Sequence, residues 1–272
     1  MGLKKASGSQ EAPPEQTSKK GSGSAQPGIV QKDGSIAVEW ASIELDDNEL
    51  EDFVRNRLSI MLAQLPGSAA GSVECTVDLA DNHLRQAGTL AKMLQSLRET
   101  SLHVTVLRLY KNRYDDSVAV PLAEHIRAAA TQGRPLMQLH LSNNSLTEAG
   151  MRLLIEAAHH SKGYPRSMGC AKLKSLGQDS GRRVLWLRVE NQDSPIAGPR
   201  DFLESCSSVG LPVWILGDGS GQKPPADAVV QIHPSFVRTH DGGSAGSSAG
   251  GKGFKGPKGA GPMTALDRYL MH

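Results

Sequence analysis

The chain has 272 residues, only 4% of them aromatic and 21% charged, and a formal net charge of +2. That balance excludes a dedicated, strongly cationic DNA-binding domain. No run reaches the roughly 18 apolar residues of a membrane span, and the N-terminal MGLKKAS lacks a secretory apolar core.

Residues 1–35 hold no aromatic side chain and are dominated by Gly, Ser, Gln, Lys and Pro. They are read as a disordered tail, unable to bury enough apolar surface to offset ordering entropy. Gly2 opens a myristoylation pattern, but its Ser/Thr position holds Ala6, with Ser7 one residue late, so no lipid anchor is read. The folded core is expected over 36–237, followed by a disordered Gly/Lys-rich tail over 238–272 with a short terminal helix at Met263 to Leu270. The tails carry +2 and +3, which leaves −3 for the core.

Within the core a unit recurs. Val77-Asp78-Leu79-Ala80-Asp81-Asn82-His83-Leu84, Leu107-Arg108-Leu109-Tyr110-Lys111-Asn112-Arg113-Tyr114 and Leu139-His140-Leu141-Ser142-Asn143-Asn144-Ser145-Leu146 fit L-x-L-x-x-N-x-L, with 30 and 32 positions between their asparagines. A helical stretch follows each, at 87–99, 118–130 and 149–159, with apolar residues at three and four spacing such as Leu90, Leu94, Leu97 and Leu122, Ile126. Ile43 to Leu50 is read as a weaker copy before them, leading into an amphipathic helix that ends at Pro66-Gly67. After them, residues 160–183 form a basic insertion carrying Lys162, Arg166, Lys172, Lys174, Arg182 and Arg183, a length that marks a functional or disordered loop. Leu187-Arg188-Val189 then opens another weak copy with Gln192 at the asparagine position. A helix around Pro199 to Ser207 follows, and Val213-Trp214-Ile215 reads as a strand edging the sheet.

The residue types of the unit have physical roles. Alternate strand residues share a face, so Leu107 and Leu109 enter the core while Arg108 and Tyr110 look out. The asparagine sits where the strand ends, and its side chain can bond backbone groups that stacking would otherwise leave unpaired. One strand and one helix cannot bury both faces, so neighbours must stack. This order of strand, asparagine and helix resembles the ribonuclease-inhibitor-like branch of leucine-rich-repeat proteins over roughly residues 40 to 217. The resemblance implies an α/β fold, a leucine-rich-repeat solenoid in the form of a short horseshoe, with a parallel sheet inside and helices outside. It also implies a recognition scaffold rather than a particular ligand.

Chemistry is sparse. Asn82, Asn112 and Asn144 read as structural repeat residues, and Asp46-Asp47 and Asp115-Asp116 as helix caps. His159-His160 are adjacent and face different directions on a helix, so they cannot form a metal-binding pair at i and i+4. Gly217 to Lys223 resembles a phosphate loop, but Gln222 stands where Gly is required and Pro224-Pro225 forbids the helix start, so it reads as a turn. Three scattered cysteines, Cys75, Cys170 and Cys206, give no disulfide framework, and Cys75 and Cys206 look like core residues. No enzyme activity, metal or small-molecule cofactor is expected, and the compartment is read as intracellular, cytoplasmic or nuclear.

The outward strand positions name the candidate binding face: Arg108, Tyr110, Lys111, His140, Trp186, Arg188, Glu190 and Trp214. In a chain so poor in aromatic residues, Tyr110, Trp186 and Trp214 falling on one face is informative, because Trp, Tyr and Arg dominate interface energetics. Two functions follow. The favoured one is a scaffold that recognises a protein partner. The alternative is an RNA-associated factor that uses the same face with the basic insertion and the tail around Lys252, Lys255 and Lys258.

Overall fold

The computed structural model describes residues 28–32, 35–63, 73–99, 102–164, 166–167, 182–193, 196, 198–215 and 227–238. The chain before residue 28, most of the insertion, the Gly217 to Lys223 turn and the chain beyond residue 238 lie outside these residues, as does Cys170. Ten strands are described: β1 (Gly28–Lys32), β2 (Ser35–Glu39), β3 (Val73–Asp78), β4 (Leu102–Arg108), β5 (Gln138–His140), β6 (Arg166–Ser167), β7 (Arg182–Arg183), β8 (Leu185–Arg188), β9 (Val213–Ile215) and β10 (Val230–Ile232). Eight make an open sheet in the order β1-β2-β3-β4-β5-β8-β10-β9, while β6 and β7 pair as a separate antiparallel ribbon. β1 is antiparallel to β2, and every other neighbouring pair in the sheet is parallel.

Helices connect the strands. α1 (Asp47–Phe53) runs through a π-helical turn (Val54–Leu58) into α2 (Ser59–Ala63). α3 (Ala87–Glu99) follows β3, and a 3₁₀ turn (Asp116–Val118) leads into α4 (Ala119–Thr131). α5 (Glu148–His160) follows β5, with α6 (Pro199–Ser208) and α7 (Ser235–Arg238) beyond β8 and β10. Strand register aligns Val38, Val77, Leu107, Leu139 and Leu187 in one buried row, continued by Ile232 and Ile215. Against it lie Leu90, Leu94 and Leu97 of α3, Leu122 and Ile126 of α4, and Leu154 and Ile155 of α5, all in one core. Each such side chain contributes about 1.5–3 kcal/mol of burial. The opposite side of β3, β5, β8 and β10 is half-exposed, so helices cover one face and leave the other open.

β3, β4, β5 and β8 end at the same corner. Asp81, Lys111, Asn143 and Asn191 all adopt left-handed backbone with φ of 54° to 57°, and each stands immediately before a carboxamide. Asn112 shows what that carboxamide does. Its Nδ2 donates to the carbonyls of Leu79 and Leu109 at 2.9 and 3.1 Å, and its Oδ1 accepts from the Leu84 amide at 3.1 Å. Asn82 and Asn144 repeat the pattern one unit to either side. Gln192 performs the same task with a longer arm, donating to Leu141 and Val189 and accepting from Leu146. These bonds offset a left-handed conformation that costs an L-residue roughly 1–2 kcal/mol.

Two sequence expectations move, and one strand is new. The weak copy at Ile43 to Leu50 is not a strand unit: the strand is β2, and Asn48 lies in the first turn of α1. Left-handed Ser42 and Glu44, at φ 56° and 59°, break any extended run there, and Asp46 starts the helix by accepting from the amides of Asn48 and Glu49. The sheet begins before residue 36, since β1 from Gly28 pairs antiparallel with β2. β9 edges the sheet as expected, yet it does not neighbour β8. β10, which the sequence reading missed, enters between them with Val230 and Ile232 fully buried.

The acidic pairs divide their labour. The first member caps its own helix: Asp46 caps α1, and Asp115 accepts from the Ser117 amide. The second reaches the next unit. Asp47 accepts from the amides of Arg85 and Gln86, and Asp116 accepts from the amide and hydroxyl of Thr147 at 2.8 and 2.5 Å. Asp116 fits because residue 150 is glycine; a Cβ there would stand 2.2 Å from the Asp116 Oδ1. Gly150→Ala is therefore expected to expel that carboxylate and cost about 2 kcal/mol in urea unfolding, the value of lost charge-assisted bonds. Made in an Asp116→Ala background, the same substitution should cost little, since the clash partner is then absent.

Candidate binding face

The open face is built by register. Asp78, Arg108, His140 and Arg188 are consecutive partners across β3, β4, β5 and β8. Gln138, Trp186, Gln231 and Trp214 form a second row. The ladder continues past the strands, since the Asn143 amide donates to the Glu190 carbonyl at 3.0 Å and the Asp81 amide to the Tyr110 carbonyl at 2.8 Å. Trp186, Arg188 and Glu190 therefore alternate along one extended run and share a face.

Both arginines of the face are paired. Arg108 Nη1 lies 3.0 Å from Asp78 Oδ2, and Arg188 donates from Nε at 2.8 Å and from Nη2 to the same oxygen of Glu190, Oε1. Glu190 is 4% exposed, and its second oxygen, Oε2, has no partner among the described residues. His140 and Trp186 stack edge to face with centroids 5.7 Å apart. His140 Nε2 and Trp186 Nε1 are likewise buried without a partner among the described residues. Burial, helped by the Arg188 and Arg108 cations, lowers the His140 pKa to about 4 against the pull of Glu190 and Asp78, so the ring is neutral at neutral pH. A neutral imidazole, an indole N–H and a carboxylate oxygen thus meet on one face with hydrogen-bonding capacity unused.

The expected face residues do not all belong together. His140, Trp186, Arg188 and Glu190 form the cluster, with Arg108 beside it and Tyr110 half-buried one step along β4's continuation. Trp214 does not join: it is 5% exposed, buried with Val184 and Ala228 in a small cluster apart from the main core, so no partner reaches its ring. Lys111 occupies the left-handed corner after the strand and lies 3.8 Å from Asp81, exposed at the end of the row rather than within it. Asn82, Asn112 and Asn144 are buried backbone ligands. The sequence reading missed Gln231, whose signal was the apolar alternation of Val230 and Ile232 around it.

Neither described cysteine is activated as a nucleophile. Burial pushes the Cys75 thiol up to about 12 and also raises that of Cys206, so both stay protonated. Among the described residues no group of three His, Cys, Asp or Glu side chains is placed to hold a metal, and no helix is long and apolar enough to cross a membrane. No family model, curated protein or solved structure matches this chain.

Proposed function

We propose that the chain is a short ribonuclease-inhibitor-like leucine-rich-repeat solenoid, a non-enzymatic scaffold that recognises a protein partner through its open sheet face. The recurring corner, with Gln192 standing in for asparagine, supports the repeat reading. The observation that carries the binding role is the half-exposed row of Asp78, Arg108, His140 and Arg188, with Trp186 beside it, on the sheet face that the helices leave open.

Charge favours protein over RNA. Phosphate binding needs free cations, whereas Arg108 and Arg188 already face Asp78 and Glu190. The contrary observation is the β6–β7 ribbon, whose register sets Arg166 opposite Arg183, but it lies outside the sheet. Capture from extract of the native cells, with and without nuclease, decides between the two. The expected result is a nuclease-resistant protein whose recovery drops about 30-fold with Trp186→Ala, as for a central aromatic anchor worth roughly 2 kcal/mol. Loss on nuclease treatment, or a steep fall between roughly 50 and 200 mM salt, would establish RNA instead.

A further inference from the structure

Resting on that reading of the open face, we infer that its occupant is a basic amphipathic helix of the partner protein. The helix lies across the strands from β1 to β8, with Lys or Arg on both flanks of its apolar side.

A row of mostly small and apolar side chains crosses the open face. Strand register lines up Val30, Ala37, Thr76 and Val106 over β1 to β4, and Gln138 and Trp186 carry the row on to β8. Val30 is 45% exposed and the other five are half-exposed, so the row is accessible along its length. Neighbouring strands stand about 4.8 Å apart, which makes the row roughly 24 Å long. Parallel strands are ordinarily covered on both faces, whereas these pack their helices against one.

Carboxylates bracket the row. Glu39 stands two residues beyond Ala37 on β2, and Glu74 two residues before Thr76 on β3, so alternation puts both on the open side. Both are exposed, and neither makes an ion pair among the described residues. Register sets Glu39 beside Asp78, four residues past Glu74, so the two carboxylates lie on opposite sides of the row, about 13 Å apart along the strands. The charges further along the face are matched within the fold, Asp78 with Arg108 and Glu190 with Arg188. Among the described side chains, the free charge on the β2–β3 half is thus negative on both sides of an apolar track.

Shape selects the helix. An α-helix with its side chains is about 10–12 Å across, so one seated on the row brings its flanking residues over Glu39 and Glu74, and the length of the row accommodates roughly 16 residues. An extended segment points its side chains alternately up and down rather than to both sides, so it cannot fill the track and reach both carboxylates at once. A polyanion such as RNA meets like charge on either side. Exposed ion pairs add little affinity, but like charges in their place repel, so the flanks set the choice of partner while the apolar row supplies the contact.

Two model helices of about 16 residues test this on the full-length chain by fluorescence anisotropy at low salt. Both carry a Leu/Ala stripe, flanked by Lys in one and by Glu in the other. The Lys-flanked helix should bind at least tenfold more tightly, and Trp186→Ala should weaken it about fivefold. Glu39→Lys combined with Glu74→Lys should invert the preference, a result that a misfolded chain does not give. No binding of the Lys-flanked helix, no preference for it, or a preference unchanged in the double variant would overturn the inference. A partner captured from extract that is lost with Trp186→Ala yet kept by the double variant would leave the binding face standing while removing the basic helix. Retention by both variants would remove both.

Discussion

Replacing Asn144 by alanine is expected to cost about 4 kcal/mol of unfolding free energy, more than at any other corner position. The side chain is completely buried, and each of its polar atoms holds a backbone group of a neighbouring unit. Oδ1 takes the Tyr114 amide at 3.0 Å, while Nδ2 donates to Leu109 at 2.9 Å and to Leu141 at 3.0 Å. Alanine leaves a donor and acceptors buried away from water, at about 1–3 kcal/mol apiece, with no room gained for solvent to replace them. For a folded body of this size that is roughly a 10 °C fall in melting temperature. Gln192→Ala is the internal comparison: its bonds are only partly buried, so water can substitute, and the expected loss is nearer 2 kcal/mol. Urea unfolding of both variants checks the ranking, and an Asn144→Ala loss below that of Gln192→Ala contradicts the account.

The stacked centre was legible because two signals agree there. Alternating leucines at 107 and 109 or 139 and 141 mark a strand with one buried face, and an asparagine three residues on marks its corner. Helix limits followed from the same logic, with α3 falling on the expected 87–99 and α5 one residue longer at each end than expected. The ends were harder. Along β2 and its continuation the buried row is Ile36, Val38 and Trp40, and three residues on stands Ile43 rather than asparagine, its amide donating to Asn82 Oδ1, so the template slid onto the wrong residues. β10 escaped because a three-residue parallel strand is defined by partners 45 and 17 positions earlier, and local pattern does not carry that pairing.

The proposed face was half legible. Period-two alternation placed Trp186, Arg188 and Glu190 together, and register supplied His140. That Arg188 is held by a carboxylate two residues along its own strand also follows from alternation, whereas burial of Trp214 does not. An outward position at a sheet edge is exposed only if nothing folds over it, and Val184 and Ala228 pack with that ring. Unused hydrogen-bonding capacity lies a level further from the sequence, since it depends on which single oxygen of Glu190 an arginine chooses.

Acid should weaken the fold and its binding together. His125 and His140 both titrate near 4 in the folded chain, against an ordinary value of 6.5. Burial is the main cause for each, reinforced by Arg98 and His103 around His125 and by Arg188 and Arg108 around His140. His159 is shifted the same way by its burial. Because the unfolded chain takes up these protons more readily, their contribution is complete above pH 6.5 and is lost as pH falls toward 4. At about 1.4 kcal/mol per pH unit, His125 accounts for roughly 2 kcal/mol between pH 6.5 and 5, and half-buried His140, screened by solvent, for about 1. Stopping at pH 5 keeps most carboxylates ionised in both states. The urea midpoint should therefore drop by roughly 1 M over that window, and His125→Leu should remove about two-thirds of the drop. An equal drop in that variant would assign the effect elsewhere. His140→Gln separates binding from folding: protonated His140 would set a third cation between Arg108 and Arg188, so partner capture by wild type should fade as pH falls, while capture by His140→Gln should not follow pH.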